Sequence, residues 1–288
     1  MKLILHPQTT THVAQFSAQP VHAVMLVGNN GIGKGTLAQQ LVTDILQLGP
    51  NGLANYPYFT RITPDKGTIS IDAIRKLQHF LQLKTIGERP LRRAIILEHA
   101  EGLTIEAQNA FLKLLEEPPA DTILMLTADS QRALLPTILS RVQIIPVAAP
   151  NEQTLKAHFA EQGKDATAIT QAFFLSGGLP GLMTALLNDD EAHPLLGGVA
   201  TAKEILQKQL FERLCMVEGL SKQKNEALYT LQALQHIAQT GLKQAAGKSE
   251  PAKITQWHHI LKVTAEALAA LEQNANAKLV LSNLMLQL

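Results

Sequence analysis

The chain has 288 residues, enough for two domains or three small ones that each bury a core. A net charge of +1 excludes a global field drawing it onto nucleic acid, and 4% aromatic content argues against rows of stacking rings for single strands. The one cysteine, Cys215, excludes an intramolecular disulfide and any multi-cysteine zinc site.

The opening Met1–Gln8 has too short an apolar run for a signal peptide, and no apolar segment approaches the ~20 residues that span a bilayer. A cytoplasmic protein with no membrane contact is expected. The apolar run His22–Val27 reads as a strand, followed by the glycine-rich turn Gly28–Gly35. Leu37, Leu41, Ile45 and Leu48 then keep helical spacing until Gly49–Gly52 breaks it. Tyr58–Ile62 predicts a strand, and Ser70–Leu83 an amphipathic helix opening on Ser70 or Asp72. Arg93–Leu97 is the next strand, with a helix over Thr104–Glu117 stopped by Pro118 and Pro119. A buried strand over Thr122–Ala128, a short helix over Gln131–Ser140 and a strand over Val142–Val147 close the series. Alternation of this kind predicts a parallel sheet covered on both faces.

From Asn151 the strand signal stops. Short helices are predicted over Glu152–Gln162 and Thr167–Leu175, then Ser176–Gly181 and a helix to Leu187. The acidic Asn188–Pro194 reads as a linker, and Gly197–Leu288 as four or five helices. The arginines Arg89, Arg92 and Arg93 read as a solvent-facing basic cluster, and His258–His259 as packing residues without metal-ligand spacing.

Gly28-Asn-Asn-Gly-Ile-Gly-Lys34 fits the G-x-x-x-x-G-K phosphate loop, placed between a strand and a helix as that motif requires. Gly28, Gly31 and Gly33 let backbone N–H groups turn toward phosphate oxygens, and Lys34 supplies charge. The next residue should be a serine or threonine whose hydroxyl binds Mg²⁺. Here it is Gly35, and Thr36 lies one helical step, about 100°, out of place. Nucleotide binding is therefore expected to be weak or absent, with Mg²⁺ only alongside nucleotide and no zinc. Ile95–Glu98 places Glu98 at the metal-side acid of the second motif. His99 stands where a hydrolysing enzyme carries the water-polarising carboxylate. Losing that base typically costs 10²–10⁴ in rate.

Glu98–Thr104 and Asn109-Ala-Phe-Leu-Lys-Leu-Leu-Glu-Glu-Pro-Pro119 resemble the bacterial sliding-clamp loaders of the DNA polymerase III holoenzyme, within them the delta-prime branch most. Ile69–Leu77 upstream and Leu135–Arg141 downstream, with Ser140-Arg141-Val142 for that family's Ser-Arg-Cys, fall in the family's order over about residues 22–185. The resemblance implies an AAA+ fold: a RecA-like P-loop α/β domain over 1–150, a small helical lid over 151–190 and an all-α collar for oligomerisation over 195–288. It implies membership of a hetero-pentamer with gamma/tau and delta types, acting on a sliding clamp and primed DNA. Arg141 inherits the trans-acting arginine finger, Thr127 the sensor-1 position, and Arg75 and Lys76 a helix that faces DNA in related loaders. Pro180 stands where a hydrolysing subunit carries its sensor-2 arginine, and Gln47–Phe59 lacks the zinc-binding cysteines of many loader subunits. The reading is a subunit without ATPase activity of its own. The alternatives are a gamma/tau-like motor and, from another class, a P-loop small-molecule kinase. A kinase would need catalytic acids on a lid and would not need Leu135–Arg141.

Overall fold

The computed structural model describes residues 3–49, 52–65, 67–188, 194–273 and 275–288. They form two compact units, Met1–Pro150 and Asn151–Leu288.

The first unit is a five-stranded, all-parallel sheet of β1 (Ala23–Val27), β2 (Phe59–Ile62), β3 (Arg93–Leu97), β4 (Thr122–Ala128) and β5 (Gln143–Pro146), in the order β2-β3-β4-β1-β5. The apolar runs of β3 and β4 are buried at every position because neighbouring strands and helices cover both faces. The edge strands β2 and β5 are only partly covered. The order inserts β4 between β1 and β3. The registers Leu26–Thr127 and Leu97–Leu126 then bring the tips of all three strands to one end of the sheet. Crossings from strand to strand run through α2 (Lys34–Ile45), α3 (Ile71–Gln82), α4 (Ile105–Glu116) and the short α5 (Pro136–Leu139). Phe111, Leu115, Leu77 and Ile74 pack with Ile95, Leu97 and Leu124 in one core.

Two elements depart from the sequence reading. A helix, α1 (Pro7–Ala18), precedes the first strand; only Thr9 and Phe16 of it are buried, too few for a visible period. Thr9 ties it to β5, its hydroxyl donating to Pro146 O at 3.2 Å and accepting from Ala148 N at 3.1 Å. The helix expected over 131–140 shrinks to Pro136–Leu139. Leu135 precedes a proline and is held extended at φ −62°, ψ 139°. The buried Gln108 of α4 takes the freed backbone groups, donating to Ala133 O and accepting from Leu135 N at 2.8 Å.

The second unit is helical: α6 (Glu152–Glu161), α7 (Ala166–Ser176), α8 (Pro180–Asn188), α9 (Pro194–Gln207), α10 (Leu210–Lys222), α11 (Lys224–Gly247), α12 (Pro251–Glu272) and α13 (Ala277–Gln287). The 24-residue α11 is its spine, packed by α9, α12 and α7 and burying Leu231, Leu234 and Ile237. Gly177 at φ 63° ends α7, and Pro180 opens α8, where proline's fixed φ and missing N–H cost nothing. Residues 189–193 of the acidic linker expected over Asn188–Pro194 lie outside the described residues. Among the described residues no helix is long and apolar enough to cross a membrane.

Candidate functional site

The carboxyl ends of β1, β3 and β4 converge on the phosphate loop, where parallel α/β sheets place ligand sites. Gly31 and Gly33 sit at φ 77° and 94°, conformations that glycine adopts at little cost and that turn the loop's N–H groups inward. The cradle itself is therefore formed.

Its lysine is already engaged. Lys34, 5% exposed, donates to Gly28 O at 2.7 Å and Asn29 O at 3.0 Å. Its ammonium also pairs with Asp129 Oδ1 at 2.7 Å, from the tip just beyond β4. The acid of the second motif is engaged as well. Glu98 Oε2 pairs with Arg61 Nη2 at 2.7 Å, the arginine reaching across from the neighbouring strand β2. Glu98 Oε1 is buried with no hydrogen-bond partner among the described residues.

Gly35 lies against that oxygen. A Cβ on residue 35 would lie 2.7 Å from Glu98 Oε1, so a serine or threonine there would require the Glu98 carboxylate to shift. Thr36 is exposed on α2 and does not replace it. Tested against Mg²⁺, the donor set does not fit: the hydroxyl is missing, and the acid already carries an internal cation. The phosphate cradle does fit an anion, at the cost of competing with Asp129 for Lys34.

His99 follows β3 in a left-handed conformation, φ 51° and ψ 57°, uncommon for a residue with a Cβ. Its N–H donates to the Thr127 hydroxyl at 3.1 Å, and its Nδ1 meets Glu101 Oε1 at 3.3 Å. The Glu101 hydrogen bond raises the imidazole pKa above its ordinary 6.5 against the opposing effect of burial. Burial pushes the Glu101 carboxyl up, but hydrogen bonds from His99 and from backbone N–H groups outweigh it and hold the pKa below 4.5. His99 is thus drawn to Glu101 as a cation's partner, an unfavourable arrangement for a proton-accepting base. His99, Glu101 and Asp129 bring ligand atoms within 4.8 Å of one another, with the Lys34 ammonium already on Asp129.

Arg141 lies just beyond α5. Its Nη1 donates to Thr137 O and Ser140 Oγ, each at 3.1 Å, and its Nη2 pairs with Glu116 Oε1 at 3.0 Å. Arg75 is exposed on α3 and paired with Asp72 at 3.2 Å; Lys76 is exposed beside it. The basic cluster divides. Arg93 is 2% exposed, donates to Leu81 O and Leu83 O, and stacks 5.4 Å over Phe80. It is a core residue, whereas Arg92 forms a partly buried pair with Asp121 at 3.8 Å. His258 and His259 are exposed, and His259 meets Gln287 O at 2.9 Å.

Asp129 and Arg61 carry no motif of their own, and Glu101 and Glu116 fall within Glu98–Thr104 and Asn109–Pro119 without a role of their own read from the sequence. For Asp129 the available signal is its position two residues beyond Thr127, at the tip of a buried strand.

Fold and loop together define an AAA+ P-loop protein, with a parallel α/β unit followed by helices. A sequence profile described as "DNA polymerase III, delta subunit" matches residues 9–151. The delta-prime subunit of Pseudomonas aeruginosa DNA polymerase III is 31% identical over 214 residues, 67% of this chain and 64% of that one. The Escherichia coli delta-prime subunit is 29% identical over 204 residues, 65% and 60% of the two chains. These matches make the chain similar to the bacterial DNA polymerase III delta-prime subunits. The matches span less than two thirds of these relatives' lengths. The structure of a DNA polymerase III gamma subunit-related protein from Thermotoga maritima shares the fold at a TM-score of 0.55, 22% identity and 97% coverage of both chains.

Proposed function

We propose that the chain is a non-hydrolysing, delta-prime-type subunit of a replicative clamp loader that serves a neighbouring subunit's ATP site through Arg141. One observation carries this reading. Both charges that a nucleotide and its metal would engage, Lys34 and Glu98, are neutralised by Asp129 and Arg61 of the same chain, whereas Arg141 stands at the surface. An arginine finger is worth 10³–10⁵ in turnover, so a chain silent in its own site can govern activity next door.

In this reading residues 151–190 act as a lid and 195–288 as a collar. Gamma/tau- and delta-type subunits complete a hetero-pentamer that loads a sliding clamp on primed DNA in the cytoplasm. Arg75 and Lys76 supply phosphate contacts, and Thr127 keeps the sensor-1 position while bonding His99 N–H. Nucleotide binds weakly, without a productive metal. A gamma-type motor would need a hydroxyl at position 35 and a free acid at position 98, and neither is present.

The test is steady-state ATP hydrolysis by the chain alone and mixed with an ATP-hydrolysing loader subunit. The expected result is no turnover alone and stimulated turnover in the mixture. Appreciable turnover by the chain alone would contradict the reading.

A further inference from the structure

The corner that carries Arg141 is built around one carboxylate. Glu116 is the last residue of α4, and Arg141 follows α5; the two helices pack together through Leu115 and Ile138 in the core of the first unit. Gln108, about two turns upstream on the same α4, fixes the segment that leads into α5 by bonding Ala133 O and Leu135 N. One helix therefore determines both where the arginine is rooted and where its guanidinium is held.

The guanidinium offers five N–H donors in a flat fork. Both Nη1 donors are used on Thr137 O and Ser140 Oγ, from the helix that carries the arginine. Nη2 faces Glu116 Oε1 at 3.0 Å, while Nε has no partner among the described residues. The side chain remains 36% exposed. A free arginine side chain loses rotamer entropy when it is fixed. Here part of that ordering precedes any encounter, and Nε stays free for an oxyanion, while Nη2 is already paired with Glu116.

Resting on the trans role of Arg141, we infer that Glu116 is a positioning residue. It holds the guanidinium through Nη2 with the Nε side presented outward, toward the triphosphate bound by the adjoining subunit. It touches no substrate, and its contribution is the orientation of Arg141.

The experiment uses the full chain assembled with an ATP-hydrolysing loader subunit and compares wild type, Glu116→Gln, Arg141→Ala and the double variant. Glu116→Gln keeps the shape and removes the charge. It is expected to lower kcat by about two- to fivefold, the range open to an exposed ion pair, with KM for ATP unchanged. On the Arg141→Ala background the same substitution is expected to change nothing, since its effect runs through the arginine. Thermal unfolding and size-exclusion profiles should match the wild type in every arm. If Arg141→Ala lowers turnover and Glu116→Gln does not, Glu116 has no positioning role and the trans finger stands. A rise in kcat with Glu116→Gln would equally overturn the inference, because the carboxylate would then be restraining the arginine. Unchanged turnover with Arg141→Ala removes the trans reading itself, and this inference with it.

Discussion

The phosphate loop and the Ser140–Arg141 corner lie in one α/β unit and handle charge in opposite ways. At the loop, the cation Lys34 and the acid Glu98 are buried, each held by a partner that reaches solvent, Asp129 at 35% and Arg61 at 47% exposure. At the corner, Arg141 and Glu116 are both open to solvent, and Nε of the arginine has no partner among the described residues. Burying paired charges makes each partner dependent on the other, because a lone charge left inside is costly. Exposed pairs contribute little to stability and can exchange partners. A buried charge held by one partner suits a scaffold, and a pair exposed on both sides suits contact with another molecule.

The comparison breaks first at Asp129. Asp129→Ala strands the Lys34 ammonium among carbonyls, and a loss of about 3 kcal/mol is expected, on the scale of breaking a buried pair. Chemical denaturation measures it, and calorimetry should find tighter ATP binding once the lysine is released. Gly35→Ser places a Cβ within 2.7 Å of Glu98 Oε1. It should be absorbed by a shift of the Glu98 carboxylate, costing about 1 kcal/mol or less, and leave the isolated chain without ATP turnover, since a hydroxyl alone does not free Glu98 from Arg61. Glu116→Ala should cost at most about 1 kcal/mol. A loss as large as that of Asp129→Ala would erase the contrast between the two regions.

The smallest effect is one of pH. The His99 pKa is raised in the folded state, so its contribution to stability is complete below pH 6.5 and is lost as pH climbs through the folded value. The Glu101 pKa is lowered, so its contribution is present above pH 4.5 and is lost as pH falls through the folded value. Denaturation midpoints should therefore decline slightly as pH rises above about 6.5, and His99→Gln should remove that slope.

The central strands and their helices were legible because periodicity survives wherever both faces of a sheet are buried. β3 and β4 fall where their apolar runs lie. Helix α1 was not, since Thr9 and Phe16 alone do not make a stripe. Helix α5 was over-read because the Gln108 clamp joins residues 25 to 27 positions apart, which no local pattern records. At the site, the sequence revealed what was missing, Gly35 and His99, but not what had replaced it. Asp129 and Arg61 reach their partners through strand order alone: β4 beside β1 and β2 beside β3. Arg93, read as part of a surface cluster, is buried because Leu81 O and Leu83 O receive its donors.

The most direct test is ATP turnover by the assembled loader carrying Arg141→Ala in this chain. With assembly intact by size exclusion, the account predicts that hydrolysis at the adjoining site falls by about three orders of magnitude or more. Turnover equal to that of the wild-type assembly would contradict it.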